Sequence, residues 1–449
     1  MDVTRRGQTI DARAALLVPP GAAANEASQR RKRVVVASAL GLTLAGLLVF
    51  VPGAAATGRE VTTLTLVART AHAPALNAAI ARFEALHPDI AIRASYPSPA
   101  ALSSTILNGL ASGTAPDIMV MSTSGAGTAG LPSLWALGPQ YLADLSNEPW
   151  VKQLWHPLLP LASTAGKVYG EPMNTGSIQI GVYNKDLFSQ RGVTPPTTWA
   201  GLLALCNRLA DQGIVPIELA GGDAVSAGAI ATALAANTVY TTNPNWSAQR
   251  NTGQVSFAAT PGWHQALQML GDMQGARCFE PSPATVNAAT AYSAFDSGQA
   301  AMMVAGGWDV ILTIQQANPS LNVGFFPLPG ATSKRTRVMV NPGEYLTVKA
   351  ASPVKQQALQ FLDFVAGAWP GVAIATTENS ISTLDLIKGF VPKWMAAFAP
   401  FIKRQEFVVS PLIYDNKPGG VAAFRAGITS LLAGTSTADQ ALANTDAAW

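Results

Sequence analysis

The sequence predicts an α/β protein of two lobes. The chain has 449 residues, more than one hydrophobic core usually serves, so two lobes or domains are expected. From residue 62 onward β-branched runs alternate with helical ones as strand, helix, strand, helix, strand, which implies a parallel sheet with crossover helices. After residue 167 the alternation returns with different spacing and without a simple internal repeat.

Taken in order, "TTLTLVA" (62–68) alternates and is β-branched, hence a strand. Pro74 starts a helical pattern with Leu76, Ile80, Phe83 and Leu86 on one face, and "HPD" (87–89) stops it, leaving His87 as a helix-terminal residue. "IAIRASY" (90–96) is the second strand, "PAALSSTILNGLASG" (99–113) a helix closed by Gly113, and "APDIMVMS" (115–122) a short buried strand in which Asp117 caps local backbone. Further on, 178–183 is a strand, and "PTTWAGLLALCNRLADQG" (196–213) is a helix entered at Thr197 or Thr198. "VPIEL" (215–219) is a strand and "WHQALQMLGDMQGA" (263–276) a helix. "EYLTVKA" (344–350) is a strand before the amphipathic helix "VKQQALQFLDFVAG" (354–367), and the tail from 421 to 442 is helical with a break at Gly434. Tyr169 and Tyr183 fit packing.

Composition is globular, with 49% hydrophobic residues and only 12% charged. Net charge is +3, much of it in the first 33 residues, so the body carries no nucleic-acid footprint. Cys206 and Cys278 are too far apart for a cysteine-built zinc site. They are read equally as one disulfide of an exported protein or as two buried thiols. Residues 1–33 read as a disordered cytoplasmic tail. Arg30-Arg31-Lys32-Arg33 then precedes an uncharged apolar run, 34–51. Basic residues before such a run send the rest outward, and small residues at 52–56 suit cleavage after Ala56. Residues 34–56 are therefore a signal peptide or an N-terminal membrane anchor, and the body beyond 57 is extracytoplasmic. No cysteine stands near the junction, which excludes lipid attachment there.

Two chemistry-like motifs fail on context. "GAGTAG" (125–130) matches G-x-G-x-x-G, but Ser122, Thr123 and Ser124 separate it from its strand, and Pro132, Gly138 and Pro139 interrupt the helix that should follow. A pyrophosphate then has no helix N-terminus to rest on. "DAVSAG" (223–228) lacks the first glycine of a nucleophile elbow, and the histidines and carboxylates are dispersed. No cofactor and no metal is expected. "AFDSGQAAMMVAGGWDV" (294–310) is more telling: a turn-like start, a buried-strand run at 300–305, two glycines, then Trp308-Asp309. The glycines permit a sharp turn or a close approach, and whatever approaches meets an indole face.

In order along the chain, "AAIARFEALHPDIAI", "LASGTAPDIMVM", "GKVYGEPMNTGSIQIGVYNKDLF", "PPTTWAGLLALCNRL", "FDSGQAAMMVAGGWDV", "NVGFFPLPG", "NPGEYLTVKAASPVKQQALQFLDFVAG" and "LLAGTSTADQAL" resemble the family 1 extracellular solute-binding proteins. These are the sugar-binding subunits of bacterial ABC importers, with the maltose binder as familiar member. The resemblance implies two α/β lobes with a hinged interlobe cleft of the type II periplasmic-binding kind. Lobe 1 would hold 57–173 with 342–398, and lobe 2 would hold 174–341 with 399–449. It implies capture of a carbohydrate or sugar derivative, an amino-sugar or a glycerophosphodiester, and its delivery to the membrane subunits of an ABC permease by a monomer. An exported hydrolase using the same cleft is the alternative.

Site residues follow from that resemblance. Trp308 would stack on the C–H face of a pyranose while Asp309 hydrogen-bonds in the ring plane beside Gly307; the plainer reading makes Trp308 core. Ser122, Thr123 and Ser124 end the third strand, where the maltose binder has an aromatic and charged residues, which argues against a linear maltodextrin. Asn174, Thr175 and Ser177 lie in the first crossing segment, Asp223 after a strand of the second lobe, and Glu344 at the next crossing. Tyr96 ends the second strand. Arg425 stands where the maltose binder has a cleft arginine, or is a solvated helix residue.

Overall fold

The computed structural model describes residues 60–449, apart from 124–130, 155–157, 174–176, 307–313, 315–316, 331–335, 342, 368–369, 372, 375–395, 397, 405 and 411–416. The expected cytoplasmic tail and the signal or anchor segment lie outside the described residues. Among those described, no helix is long and apolar enough to cross a membrane.

Strands in chain order are β1 (Thr62–Val67), β2 (Ile90–Ser95), β3 (Ile118–Ser122), β4 (Ser163–Thr164), β5 (Lys167–Val168), β6 (Glu171–Pro172) and β7 (Ser177–Asn184). Then come β8 (Val215–Glu218), β9 (Ala300–Gly306), β10 (Val323–Phe326), β11 (Val338–Asn341), β12 (Glu344–Val348) and β13 (Phe407–Val409). Two open sheets result, one ordered β2-β1-β3-β12-β6 and the other β13-β11-β7-β9-β8, with β10 also on β7. In the first sheet β1 pairs β2 and β3 in parallel, and β12 enters antiparallel between β3 and β6. The chain therefore leaves the first sheet between Pro172 and Ser177 and returns to it between Asn341 and Glu344.

Local sequence explains the elements. In β1 Leu64 and Leu66 are buried while Thr63 and Thr65 are exposed, the period of a sheet with one covered face. The helix Ala73–Leu86 buries Leu76, Ile80 and Phe83. Leu86, expected on that stripe, is exposed, because the helix ends at His87 and its last residue clears the core. Gly113 closes the helix Pro99–Ser112 in the left-handed region at φ 79°, a conformation that glycine adopts without a Cβ clash.

Alternation also partitions the cores. Ile180, Val182 and Met303 of the second sheet join the core built on Leu64, Ile118, Tyr345 and Phe361. Met302 and Met339, on the opposite face, join a second core around Trp246, Trp263 and Phe424. The C-terminal helices Pro418–Leu432 and Ala438–Ala448 close this second core. Cys206 and Cys278 are joined in a disulfide and both are buried.

Two expectations are corrected. A helix, Leu134–Tyr141, forms across the segment that Gly138 and Pro139 were expected to interrupt. Ser133 caps it by accepting from the Ala136 amide, and any side chain at Gly138 would run into the Tyr169 ring. Asp117 does not cap local backbone. It accepts from the Thr65 amide and hydroxyl and from the Ser352 hydroxyl, so it ties β1 to the turn after β12. Although burial raises its carboxyl, these hydrogen bonds and Lys349 hold it below the usual range.

Candidate functional site

Because β1, β2 and β3 run parallel, their C-terminal ends lie along one edge of the first sheet, where ligands of open α/β sheets sit. Four segments bring polar residues to that edge. Ser122, the last residue of β3, pairs in register with Glu344, the first of β12. Ser122, Thr123 and Glu344 are all buried. After β1 come Arg69 and a short 3-10 turn, Thr70–His72. Arg69 donates from Nη1 to Glu344 Oε1, and His72 Nε2 meets Glu344 Oε2. After β2 comes Tyr96, whose hydroxyl donates to Asn77 at 2.8 Å while its carbonyl accepts from Thr70. Burial pushes the Tyr96 phenol up to about 12.

Electrostatics distinguish two carboxyls here. Burial alone would raise Glu344, but the His72 and Arg69 partners outweigh it and hold the group below the ordinary carboxylate range. Glu171, opposite Leu346 and so on the same face of the sheet as Glu344, has a buried oxygen without a hydrogen-bond partner. Burial pushes its carboxyl up to about 8, so it is neutral at neutral pH.

On the second sheet, Asp223 caps the buried helix Ala224–Thr238, accepting from the Ser226 amide and hydroxyl. Thr429 donates to the Gly221 carbonyl at 3.1 Å, which sets the helix bearing part-buried Arg425 against the loop of Asp223. Ser177 opens β7 opposite Asn341. Glu218 ends β8, its carboxyl raised by burial. Beside it, burial and the Glu218 carboxylate push Glu280 up to about 7, against the pull of the Glu280 and Leu219 backbone amides. A cavity of about 530 Å³ beside the start of β8 is lined by Pro216, Phe279 and Glu280, among others, and by none of the sequence-predicted site residues.

The structure thus brings Ser122, Thr123, Glu344 and Tyr96 to one edge, and Asp223 to the helix of Arg425. Gly307, Trp308, Asp309, Ser124, Asn174 and Thr175 lie outside the described residues. Among the described residues no group of three or more His, Cys, Asp or Glu side chains is placed to hold a metal. Sequence reasoning missed Arg69 and His72. The available signal was their position just past the first predicted parallel strand.

Residues 69–368 match the family model of bacterial extracellular solute-binding proteins. No curated protein matches the chain. Among solved structures, the fold is similar to a family 1 extracellular solute-binding protein from Bifidobacterium longum subsp. infantis (TM-score 0.70, 19% identity, 87% of this chain and 99% of that one). It is also similar to apo RafE from Streptococcus pneumoniae (0.69, 16%, 86% and 97%). A third likeness is the cyclic alpha-maltosyl-1,6-maltose binding protein from Arthrobacter globiformis (0.68, 20%, 86% and 98%). With two open sheets linked by crossing segments and a family match over more than half of its length, the chain belongs to the family 1 bacterial extracellular solute-binding proteins.

Proposed function

We propose that this chain is the substrate-binding subunit of an ABC importer. It captures a carbohydrate or sugar derivative in a cleft between its two sheets and hands it to a membrane permease, without turning it over. The observation that carries the reading is the polar edge Arg69–Tyr96–Ser122–Glu344, located where the chain crosses between the sheets of a solute-binding fold. One lobe is taken as 57–173 with 342–398 and the other as 174–341 with 399–449, because β6 and β7, and again β11 and β12, belong to different sheets. Closure about those crossings is a hinge motion of known kind. Trp308, Asp309 and Gly307 are assigned to stacking and in-plane hydrogen bonding, with Ser124, Asn174, Thr175, Ser177, Asp223 and Arg425 on the cleft walls. Solved relatives of this fold include a complex of RafE with raffinose and a sugar transporter with stachyose, which supports an oligosaccharide as cargo. Residues 34–56 are assigned to export, as a cleaved signal or a retained anchor.

The test is a thermal-shift titration of the full-length protein with raffinose, stachyose, xylo- and chitin oligosaccharides, amino-sugars and glycerophosphodiesters. A bound solute at a hundredfold excess over its Kd stabilises the native state by about 2.7 kcal/mol. We expect a saturable shift with a sugar that disappears in Trp308→Ala. A panel flat for every sugar, or release of a hydrolysed product, sinks the reading.

A further inference from the structure

We propose that Arg69 contacts the solute, that Glu344 and His72 are the positioning residues that hold it, and that the Arg69–Glu344 pair makes the site select uncharged, hydroxyl-bearing solutes over anions. This rests on the cleft reading above and deepens it. The Glu344 side chain is 4% exposed and that of His72 1%, whereas Arg69 keeps 22% of its side chain accessible. An ionised carboxylate only accepts hydrogen bonds, so His72 Nε2 carries the proton and donates it. Both Glu344 oxygens are therefore engaged, one by each partner. Its backbone is fixed as well: the carbonyl accepts from the Met173 amide at 3.1 Å, and the residue pairs with Ser122. A carboxylate enclosed and fully used in this way orients its partner rather than meeting a ligand.

Arg69 is the partner with capacity left. A guanidinium carries five N–H donors, and among the described residues its hydrogen bonding is to Glu344 alone. The remaining donors suit hydroxyl oxygens, which are neutral acceptors. An anion gains less, because the charge of Arg69 is already balanced at contact distance by Glu344 and an approaching anion is repelled by that carboxylate. Screening is weak around a carboxylate as enclosed as Glu344, whose side chain is 4% exposed. Glu171, protonated by its burial, adds no charge to the edge.

The experiment is isothermal titration of the full-length protein with raffinose, stachyose, xylotriose and triacetylchitotriose against glucose 6-phosphate, glucuronate and glycerol 3-phosphate. Wild type is expected to favour one neutral probe at least tenfold over every anionic one. Glu344→Gln frees the charge of Arg69: the neutral probe should lose tenfold or more and the anions should gain, so the preference narrows or reverses. Arg69→Gln should lose both. Arg69→Lys, which keeps the charge but not the fork, should recover only part. If Glu344→Gln fails to fold, Arg69→Gln/Glu344→Gln removes both charges together and should bind the neutral probe at least tenfold more weakly than wild type. The proposal is overturned by a wild type that prefers an anion, by an unchanged neutral-to-anion ratio in Glu344→Gln, or by wild-type affinity in Arg69→Gln or the double variant. No binding of any probe to wild type sinks the cleft reading itself.

Discussion

Glu171 is 2% exposed, and burial pushes its carboxyl from the ordinary value of 4.5 up to about 8. Between those two pH values the folded state binds a proton that the unfolded state has lost, so this residue makes stability fall as pH rises through that window. Glu344 acts with the opposite sign. Its lowered value contributes stability above the ordinary carboxylate range and loses it as pH falls. Glu171→Gln should therefore raise stability at pH 7 by on the order of 3 kcal/mol and flatten the decline from pH 5 to 8, measured by urea denaturation. An unchanged pH profile would contradict the assigned burial. Neither carboxyl was legible as such in the sequence. "GEP" reads like a surface turn, and the strand that encloses Glu171 comes from residues 344–348. The burial of Ser122, by contrast, was readable, since it ends a short apolar strand.

Elements were most legible where one face of a segment is covered. The helices at 73–86 and 355–365 follow their apolar periods closely. The strand at 300–306 was legible instead as a continuous apolar run, since Met302 and Met303 on its two faces enter different cores. The helix Ala224–Thr238 did not declare itself, because it is buried nearly all round and such a helix has no polar face to mark its period. Glycines in regular elements give predictions of opposite sign. Gly181 in β7 lies under Phe326, whose ring would be 2.3 Å from an added Cβ. Gly181→Ala should destabilise by about 2 kcal/mol through overpacking. Gly271, in the helix Pro261–Gly275, has open space where a Cβ would go, so Gly271→Ala should stabilise by about 0.5–1 kcal/mol. Thermal melts of the two variants check both, and equal shifts would refute the packing assigned to Phe326.

At the scale of the whole molecule, the Cys206–Cys278 bond closes a loop of 72 residues in sequence separation. Chain-entropy reasoning assigns such a loop about 4 kcal/mol, with about 2–4 kcal/mol typical of disulfides. Cys206→Ser/Cys278→Ser should lose stability in that range by guanidinium denaturation, and an undiminished midpoint would show that the bond contributes nothing. Spacing alone left this pair open, because separation in sequence does not say whether two buried thiols meet. The C-terminal segment packs on the second core through long-range contacts. Arg250 pairs with Asp446 at 3.0 Å and lies over the Trp449 ring. What the sequence by itself determined was the α/β class, the order of most strands and helices, and the family, since periodicity and short phrases are local and survive in one dimension. Only the tertiary structure decided that Glu344 is enclosed by Arg69 and His72, that Glu171 stays protonated, that Asp117 bridges strands, and that the cysteines join. Each of these depends on partners far apart in the chain, so burial and charge at one residue are fixed by segments its neighbours in sequence do not reveal.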